Sequence, residues 1–550
     1  MSTSSLAQPP SSSVRAPGAM VASADQLATQ AGMAALAAGG NAVDAAIATN
    51  AAIAVTGPHL CGMGGDLFAL VHVDGAVHAL NASGRAGSGA SAAALRAEGH
   101  GEMPFRHDVR TVTVPGCVDG WCALHERFGR LPLAQLLAPA IRLAERGFPA
   151  SPLLVGSLAT LDDRARDALH ELADQARRPG DRVRRPGVAA ALRDVAEHGR
   201  DAYYRGDFGR GLLALGRGWY TDDDLATSGA DWVSPLSWPA FGHVLHTIPP
   251  NSQGYLTLGG AAIADQLDLP ADPDDPQWAH LLVEAAKAAG RDRPDVLHER
   301  ADGGQLLERI AARAGEIDPD RAAPLDPAQR QGDTTYLCTV DADRMGVSLI
   351  QSNASGFGSW LVEPTTGINL HNRGLGFSLV LGHPAELAPG RRPPHTLSPA
   401  LVTRDDGSLR SVIGTMGGDA QPQILLQLLT RILHHGQSPP RRSTPLAGCS
   451  TDRPPGSTRG QGPAGRRCSS RATSRVRGAH VSASSATGSR PPRRGRATSA
   501  TRTRSSSATT GCSPVPPTRA RGWALLPGCE ISPVDALTVG HTGAPYDRHG

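Results

Sequence analysis

The chain has 550 residues, 40% of them hydrophobic and 19% charged, with a formal net charge of +3. This suffices for a large core and two or three structural units, and the near balance of charge argues against a nucleic-acid or membrane-surface partner. No run of eighteen apolar residues marks a membrane span, and the first twenty residues, rich in Ser, Pro and Ala, lack the apolar core of a signal peptide, so the cytoplasm is the expected location.

Residues 1–20 read as a disordered N-terminus. The stretch from Ala31 to Ala48 is rich in alanine and reads as two closely packed helices broken at Gly39-Gly40-Asn41. Apolar and polar residues alternate over 67–80 about Asp74-Gly75, which predicts a hairpin. Thr111-Val112-Thr113-Val114-Pro115-Gly116 reads as a further strand ending in a turn, followed by helical patterns at 121–130 and 136–146. Residues 151–330 read as mainly helical, with polar connections at 270–276 and 318–331. From 335 to 350 the pattern is strand, turn at Asp341-Ala342-Asp343, strand. Cys61, Cys117, Cys122 and Cys338 show neither metal-ligand nor disulfide spacing and are expected as free thiols; His280, His371 and His395 show no metal-ligand spacing either, and no metal or cofactor is expected.

The run Gly332-Asp333-Thr334-Thr335 carries the chemistry. A threonine hydroxyl is a weak nucleophile until a base takes its proton, and a threonine freed as an N-terminus has that base in its own α-amine. An α-amino group ordinarily titrates at about 7.7–8.0, so a sizeable fraction of that amine is neutral near pH 7. The polar segment ahead of Thr334 would give a cleavage point room.

At these residues the chain resembles the γ-glutamyltransferase (γ-glutamyltranspeptidase, glutathione hydrolase) family of N-terminal-nucleophile hydrolases. The resemblance runs through Ala38 to Ala45, Cys61-Gly62-Met63-Gly64-Gly65-Asp66, Val114-Pro115-Gly116, Phe128-Gly129-Arg130-Leu131-Pro132, Gly332 to Thr335, Asn353 with Phe357-Gly358-Ser359, Leu397-Ser398-Pro399 and Gly417-Gly418. It implies an α+β fold, a four-layer αββα sandwich of two subunits cut from one precursor between Asp333 and Thr334: 21–333 as the large subunit and 334–437 as a truncated small catalytic one. It implies Thr334 as nucleophile, Gly417 and Gly418 as the oxyanion loop, and Arg85, Asn353, Arg373, His395 and Thr396 as substrate contacts, with Arg85 pairing the substrate α-carboxylate. The implied partners are a small-molecule γ-glutamyl or glutaryl amide, water or an amine as acceptor, and the other subunit.

One departure bears on substrate. Where glutathione-acting members place an acid for the substrate's α-ammonium, this chain reads Asn372-Arg373-Gly374-Leu375-Gly376-Phe377-Ser378, with Gly376 in the acid's place. The pocket is expected to suit an anion better than a zwitterion, which makes a glutaryl-type, cephalosporin acylase-like amidase the alternative. A non-catalytic, uncut remnant is the rival from outside enzymes.

From 438 to 550 the composition turns to Arg, Ser, Pro and Thr. The tail is expected to be disordered, and its arginines are not read as nucleic-acid binding. Joining the third base of each codon to the first two of the next, with free codon choice, lets Arg441 to Ser450 spell Ala-Ile-Asp-Ala-Pro-Arg-Trp-Leu-Leu. The same shift turns Ala508 to Arg521 into Asp-Asp-Gly-Val-Leu-Ala-Gly-Ala-Ala-Asp-Pro-Arg-Ala. Both recovered segments resemble family sequence, which points to a frameshift between about residues 437 and 441.

Overall fold

The computed structural model describes residues 16–324 and 333–437, together with the backbone of two later strands, Val476–Ser482 and Asp535–His541. Along the chain the strands of the two main sheets are β1 (Met20–Ser23), β2 (Asp66–Val73), β3 (Ala76–Ala82), β4 (Asp231–Val233), β5 (Leu236–Ala240), β6 (His243–Thr247), β7 (Asp333–Val340), β8 (Gly346–Ala354), β9 (Ala400–Thr403), β10 (Leu409–Thr415), β11 (Val476–Ser482) and β12 (Asp535–His541). The helices used below are α1 (Gln26–Ala37), α2 (Ala42–Thr56), α3 (Cys117–Phe128), α4 (Leu133–Arg146), α5 (Tyr255–Ala264), α6 (Pro276–Gly290) and α7 (Gln421–Leu429).

Local chemistry explains the first elements. Asn41 closes a capping box: its side-chain oxygen accepts from the Asp44 N–H, and the Asp44 carboxylate accepts from the Asn41 N–H. This separates α1 from α2 where the Gly-Gly-Asn break is expected. Asp74 and Gly75 both have positive φ, 51° and 77°, as a two-residue hairpin turn between right-twisted strands requires, and β2 pairs antiparallel with β3 around them.

The first sheet has the order β1-β7-β8-β2-β3-β4, and the second the order β11-β12-β10-β9-β6-β5. Alternate residues divide each strand between two cores. Leu67, Val71, Leu337 and Leu349 face the helices, packing with Val43, Ile47, Trp121 and Leu136 of α2, α3 and α4. Phe68, Leu70, Tyr336 and Ile350 face the other way, meeting Leu401 and Val412 of the second sheet. That sheet turns Leu245, Val402 and Ile413 outward onto Leu258, Leu282 and Leu425 of α5, α6 and α7. Helices, sheet, sheet, helices is the αββα sandwich expected, and the central strands β2 and β8 of the first sheet are buried on both faces.

One expectation needs correction. Residues 112–116 are a loop rather than a strand, after a single 3-10 turn at Val109–Thr111. Its backbone groups go to separate partners, the Val114 N–H to the Arg85 carbonyl and the Thr113 carbonyl to His371 Nε2, while Pro115 has no N–H to give a ladder. The described part of 151–330 is mainly helical, as expected, and also holds β4, β5 and β6, short strands whose alternation is masked by Pro235 and Pro239. Of the N-terminal segment expected to lack structure, 1–15 lies outside the described residues, and β1 begins at Met20. In the tail, β12 lies parallel to β10 from Ser411↔Asp535 to Thr415↔Val539, with β11 antiparallel beyond it. The rest of 438–550 lies outside the described residues, and with it most of the segment read as disordered and out of frame.

Gly414 of the second sheet packs against Tyr336 of the first, where an added Cβ would collide with the Tyr336 ring. Gly414→Ala is therefore expected to destabilise the protein by about 1–3 kcal/mol through overpacking, read as a lowered midpoint in thermal or denaturant unfolding.

Candidate active site

Thr334 is the second residue of β7 and is 2% exposed. Its neighbour Thr335 pairs with Gln351 and Asp333 with Ala354, so Thr334 opposes two residues of β8, Ser352 and Asn353. A bulge of this kind bends its strand and re-aims the side chains on it. Here the Thr334 Oγ1 donates to Ser352 Oγ at 3.2 Å, and Ser352 Oγ also accepts from the Ala354 N–H at 2.8 Å. Ser352 pairs in turn with Asp66 on β2, so Thr334, Ser352 and Asp66 form one row across three strands.

Asp66 is fully buried and fully engaged. Its Oδ1 accepts from the Gly84 N–H at 2.9 Å and the Gly116 N–H at 3.3 Å, and its Oδ2 accepts from His395 Nε2 at 3.2 Å, with His371 Nδ1 at 3.6 Å. Burial alone would raise its pKa, but the two imidazoles and the Gly84 N–H outweigh it and hold the carboxyl at about 2. Burial lowers His395 to about 3, with Arg373 acting in the same direction, and burial also lowers His371, so both rings are neutral near pH 7. Their partners set the tautomers: His371 Nε2–H donates to the Thr113 carbonyl at 2.8 Å, and His395 Nδ1 accepts from the Leu397 N–H at 3.3 Å.

The glycine pair approaches from the second sheet. An added Cβ on Gly346 would meet Leu409 and Val412, whereas one on Gly414 would strike Tyr336, so β10 runs from the far end of β7 toward the end that bears Thr334. Gly417 follows with φ 133° and Gly418 with φ 55°, the latter opening a 3-10 turn that leads into α7. The leading N–H groups of such a turn have no acceptor within it. Gln253 ties this loop to the next, its Nε2 donating to the Gly418 carbonyl at 3.0 Å and to the Thr396 carbonyl at 2.8 Å.

The sequence-predicted contacts divide. Asn353 sits in the bulge, its Nδ2 donating to the Pro58 carbonyl while its buried Oδ1 has no partner among the described residues. The Asn372 N–H donates to the Asn353 carbonyl at 3.2 Å, which brings Arg373 alongside. Thr396 is half-buried, and both ring nitrogens of His395 are taken up inside the protein. Arg85 turns aside. Its Nη1 donates to Glu299 at 2.5 Å and its Nη2 to Asp231 at 3.1 Å, so its charge is already matched, although the adjoining Gly84 N–H binds Asp66. Sequence reasoning gave no role to Asp66, Ser352 or Gln253. Asp66 ends the Cys61 to Asp66 motif, but its function depends on loops up to 329 residues away.

The described cysteines are free, with Cys61, Cys117 and Cys338 buried. Among the described residues no group of three or more His, Cys, Asp or Glu side chains has an arrangement that would hold a metal ion, and no helix is long and apolar enough to cross a membrane.

Comparison with known proteins places this geometry. The family model for gamma-glutamyltranspeptidase matches residues 28–443. The oxamate amidohydrolase proenzyme of Klebsiella pneumoniae is 39% identical over 76% of this chain and 82% of its own length. The glutathione hydrolase-like YwrD proenzyme of Bacillus subtilis is 37% identical, with the same coverage of both chains. The crystal structure of a cephalosporin acylase from Bacillus halodurans superposes with a TM-score of 0.74 at 37% identity, covering 80% of this chain and 84% of that one.

The pH dependence of stability should expose the Asp66 cluster. Its folded-state pKa is depressed from 3.8 to about 2, so its contribution is present above about pH 4 and is lost as pH falls toward 2. Asp66→Asn is expected to lower stability at pH 7 by about 2–4 kcal/mol, with the gap from wild type closing as unfolding is measured at successively lower pH.

Proposed function

The chain belongs to the gamma-glutamyltranspeptidase family of N-terminal-nucleophile enzymes, and from that premise we propose an autoprocessing threonine amidohydrolase or acyltransferase whose acyl donor is a carboxylate-bearing amide of the γ-glutamyl or glutaryl kind. The observation that carries this reading is the buried Thr334 hydroxyl at a bulge, bonded to Ser352. In the precursor, Thr334 Oγ attacks the Asp333 carbonyl carbon and the peptide C–N bond breaks. The Thr334 nitrogen takes the hydroxyl proton and becomes the free α-amine, and water then hydrolyses the ester, leaving Asp333 as a carboxylate and restoring the Thr334 hydroxyl.

In turnover the amine accepts the Oγ proton as Oγ attacks the substrate amide carbon. The leaving amine takes that proton as the C–N bond breaks, and the acyl group passes from Oγ to water or to an acceptor amine. Backbone N–H groups at Gly417 and Gly418 are suited to the tetrahedral oxyanion, because no side chain blocks approach to them. The relatives named for oxamate, glutathione and cephalosporin share an amide bond to be cut and support the reaction class more than any one substrate.

We also propose that the reading frame changes between about residues 437 and 441. The family match ends at residue 443, where the composition shifts. Resequencing that finds the frame intact removes this reading.

Intact mass under denaturing conditions should show two chains, the smaller beginning at Thr334, and Thr334→Ala should give one uncut, inactive chain. A wild-type chain that stays whole would instead make this protein a non-catalytic remnant. In processed enzyme, Gly417→Ala is expected to lower kcat on a γ-glutamyl or glutaryl anilide by up to about 100- to 1000-fold, because a Cβ at φ 133° strains the loop and displaces its N–H groups from the oxyanion.

A further inference from the structure

Arg373 is 7% exposed, yet its guanidinium has no hydrogen-bonded partner among the described residues. Other deeply buried arginines are served: Arg185 donates to the Gly367 carbonyl, Arg313 to Asp292 and Arg392 to Asp231. A buried cation with its donors unused is costly, and five fixed N–H groups match a carboxylate in a two-bond fork. The surroundings do not neutralise it. Asp66 is taken up by two backbone N–H groups and His395, and Asp419 accepts from Arg293 at 3.0 Å. Burial lowers the Arg373 pKa to about 10, with Asp66 and Asp419 opposing, so it stays charged at neutral pH.

Position ties Arg373 to the reacting centre. Asn372 bonds Asn353, Asn353 adjoins Ser352, and Ser352 accepts from the Thr334 hydroxyl. The nearby Asn353 Oδ1 and Asn372 Oδ1 are also buried without partners among the described residues, which leaves polar atoms at this corner for a ligand to meet. Arg85 is already matched by Asp231 and Glu299, and Asp231 is shared with Arg392. At Gly376 an acid is not merely absent. An added Cβ would collide with the Pro394 carbonyl oxygen, so no side chain fits there to receive an α-ammonium.

We propose that Arg373, rather than Arg85, anchors the substrate carboxylate, and that the site selects monoamides of short dicarboxylic acids lacking an α-amino group. This rests on the amidohydrolase reading, but its test does not require turnover. Binding of glutarate and of L-glutamate to the full chain is measured by titration calorimetry for wild type, Arg373→Gln, Arg373→Lys and Arg85→Gln, with self-cleavage of each variant followed by mass. Glutarate should bind wild type more tightly than L-glutamate. Arg373→Gln should weaken glutarate at least about 10-fold, the loss of charge-assisted hydrogen bonds, with partial recovery in Arg373→Lys and a change under about 3-fold in Arg85→Gln. Equal binding of the two acids, or a loss confined to Arg85→Gln, overturns the proposal. Absence of self-cleavage with Arg373-dependent glutarate binding would overturn the reaction and leave the anchor standing.

Discussion

A buried carboxylate, Asp66, organises the site. An ion without water must have its oxygens satisfied by the protein, and Asp66 draws its donors from Gly84, Gly116 and His395, in three different segments. Gly116 is the cap of α3, Gly84 precedes the loop that carries Arg85, and His395 precedes Thr396. Satisfying one charge therefore fixes where three loops stand relative to β2, and through Ser352 relative to Thr334. The neutral His395 imidazole suits this task, because its Nε2–H donates to Asp66 while its Nδ1 accepts from the Leu397 N–H, without adding a second charge to the interior.

Much of the fold could be read locally. Asn41 and Asp74-Gly75 determine a cap and a turn from neighbouring atoms alone, and the strand, turn, strand pattern after Thr335 is observed as β7 and β8. The misses were contextual. Thr111 to Pro115 has strand-like residues, but its hydrogen bonds go to a loop and a histidine rather than a partner strand, which is a tertiary outcome. The short strands from 231 to 247 carry too few residues and too many prolines for alternation to stand out. At the site, the threonine and glycine pair were legible as motifs. The bulge was not, because it is a property of the register between β7 and β8 rather than of either strand. The environments of Arg85 and Arg373 were likewise invisible: both are arginines beside glycines in the sequence, and only partners distant in sequence make one matched and the other unmatched.

Electrostatically, the interior near Thr334 is polar without being a single-sign field. Asp419 is held by Arg293, and Asp66 by backbone and imidazole donors. Such a surround holds its dipoles in fixed directions, because each carboxylate is already bonded within the protein.

The strand order has a consequence for how the molecule would be made. β7 and β8 follow Thr334 in sequence yet lie between β1 on one side and β2, β3 and β4 on the other, like two teeth of a comb closed into another comb. A break ahead of Thr334 would leave that interleaving intact, since nearly the whole β7 ladder lies after it. Once the pieces were pulled apart, however, rebuilding the sheet would require one chain to insert between strands of another, a bimolecular search replacing an intramolecular one. Assembly would thus be cheap only once, while the polypeptide is continuous, and unfolding of the mature form would be effectively one-way.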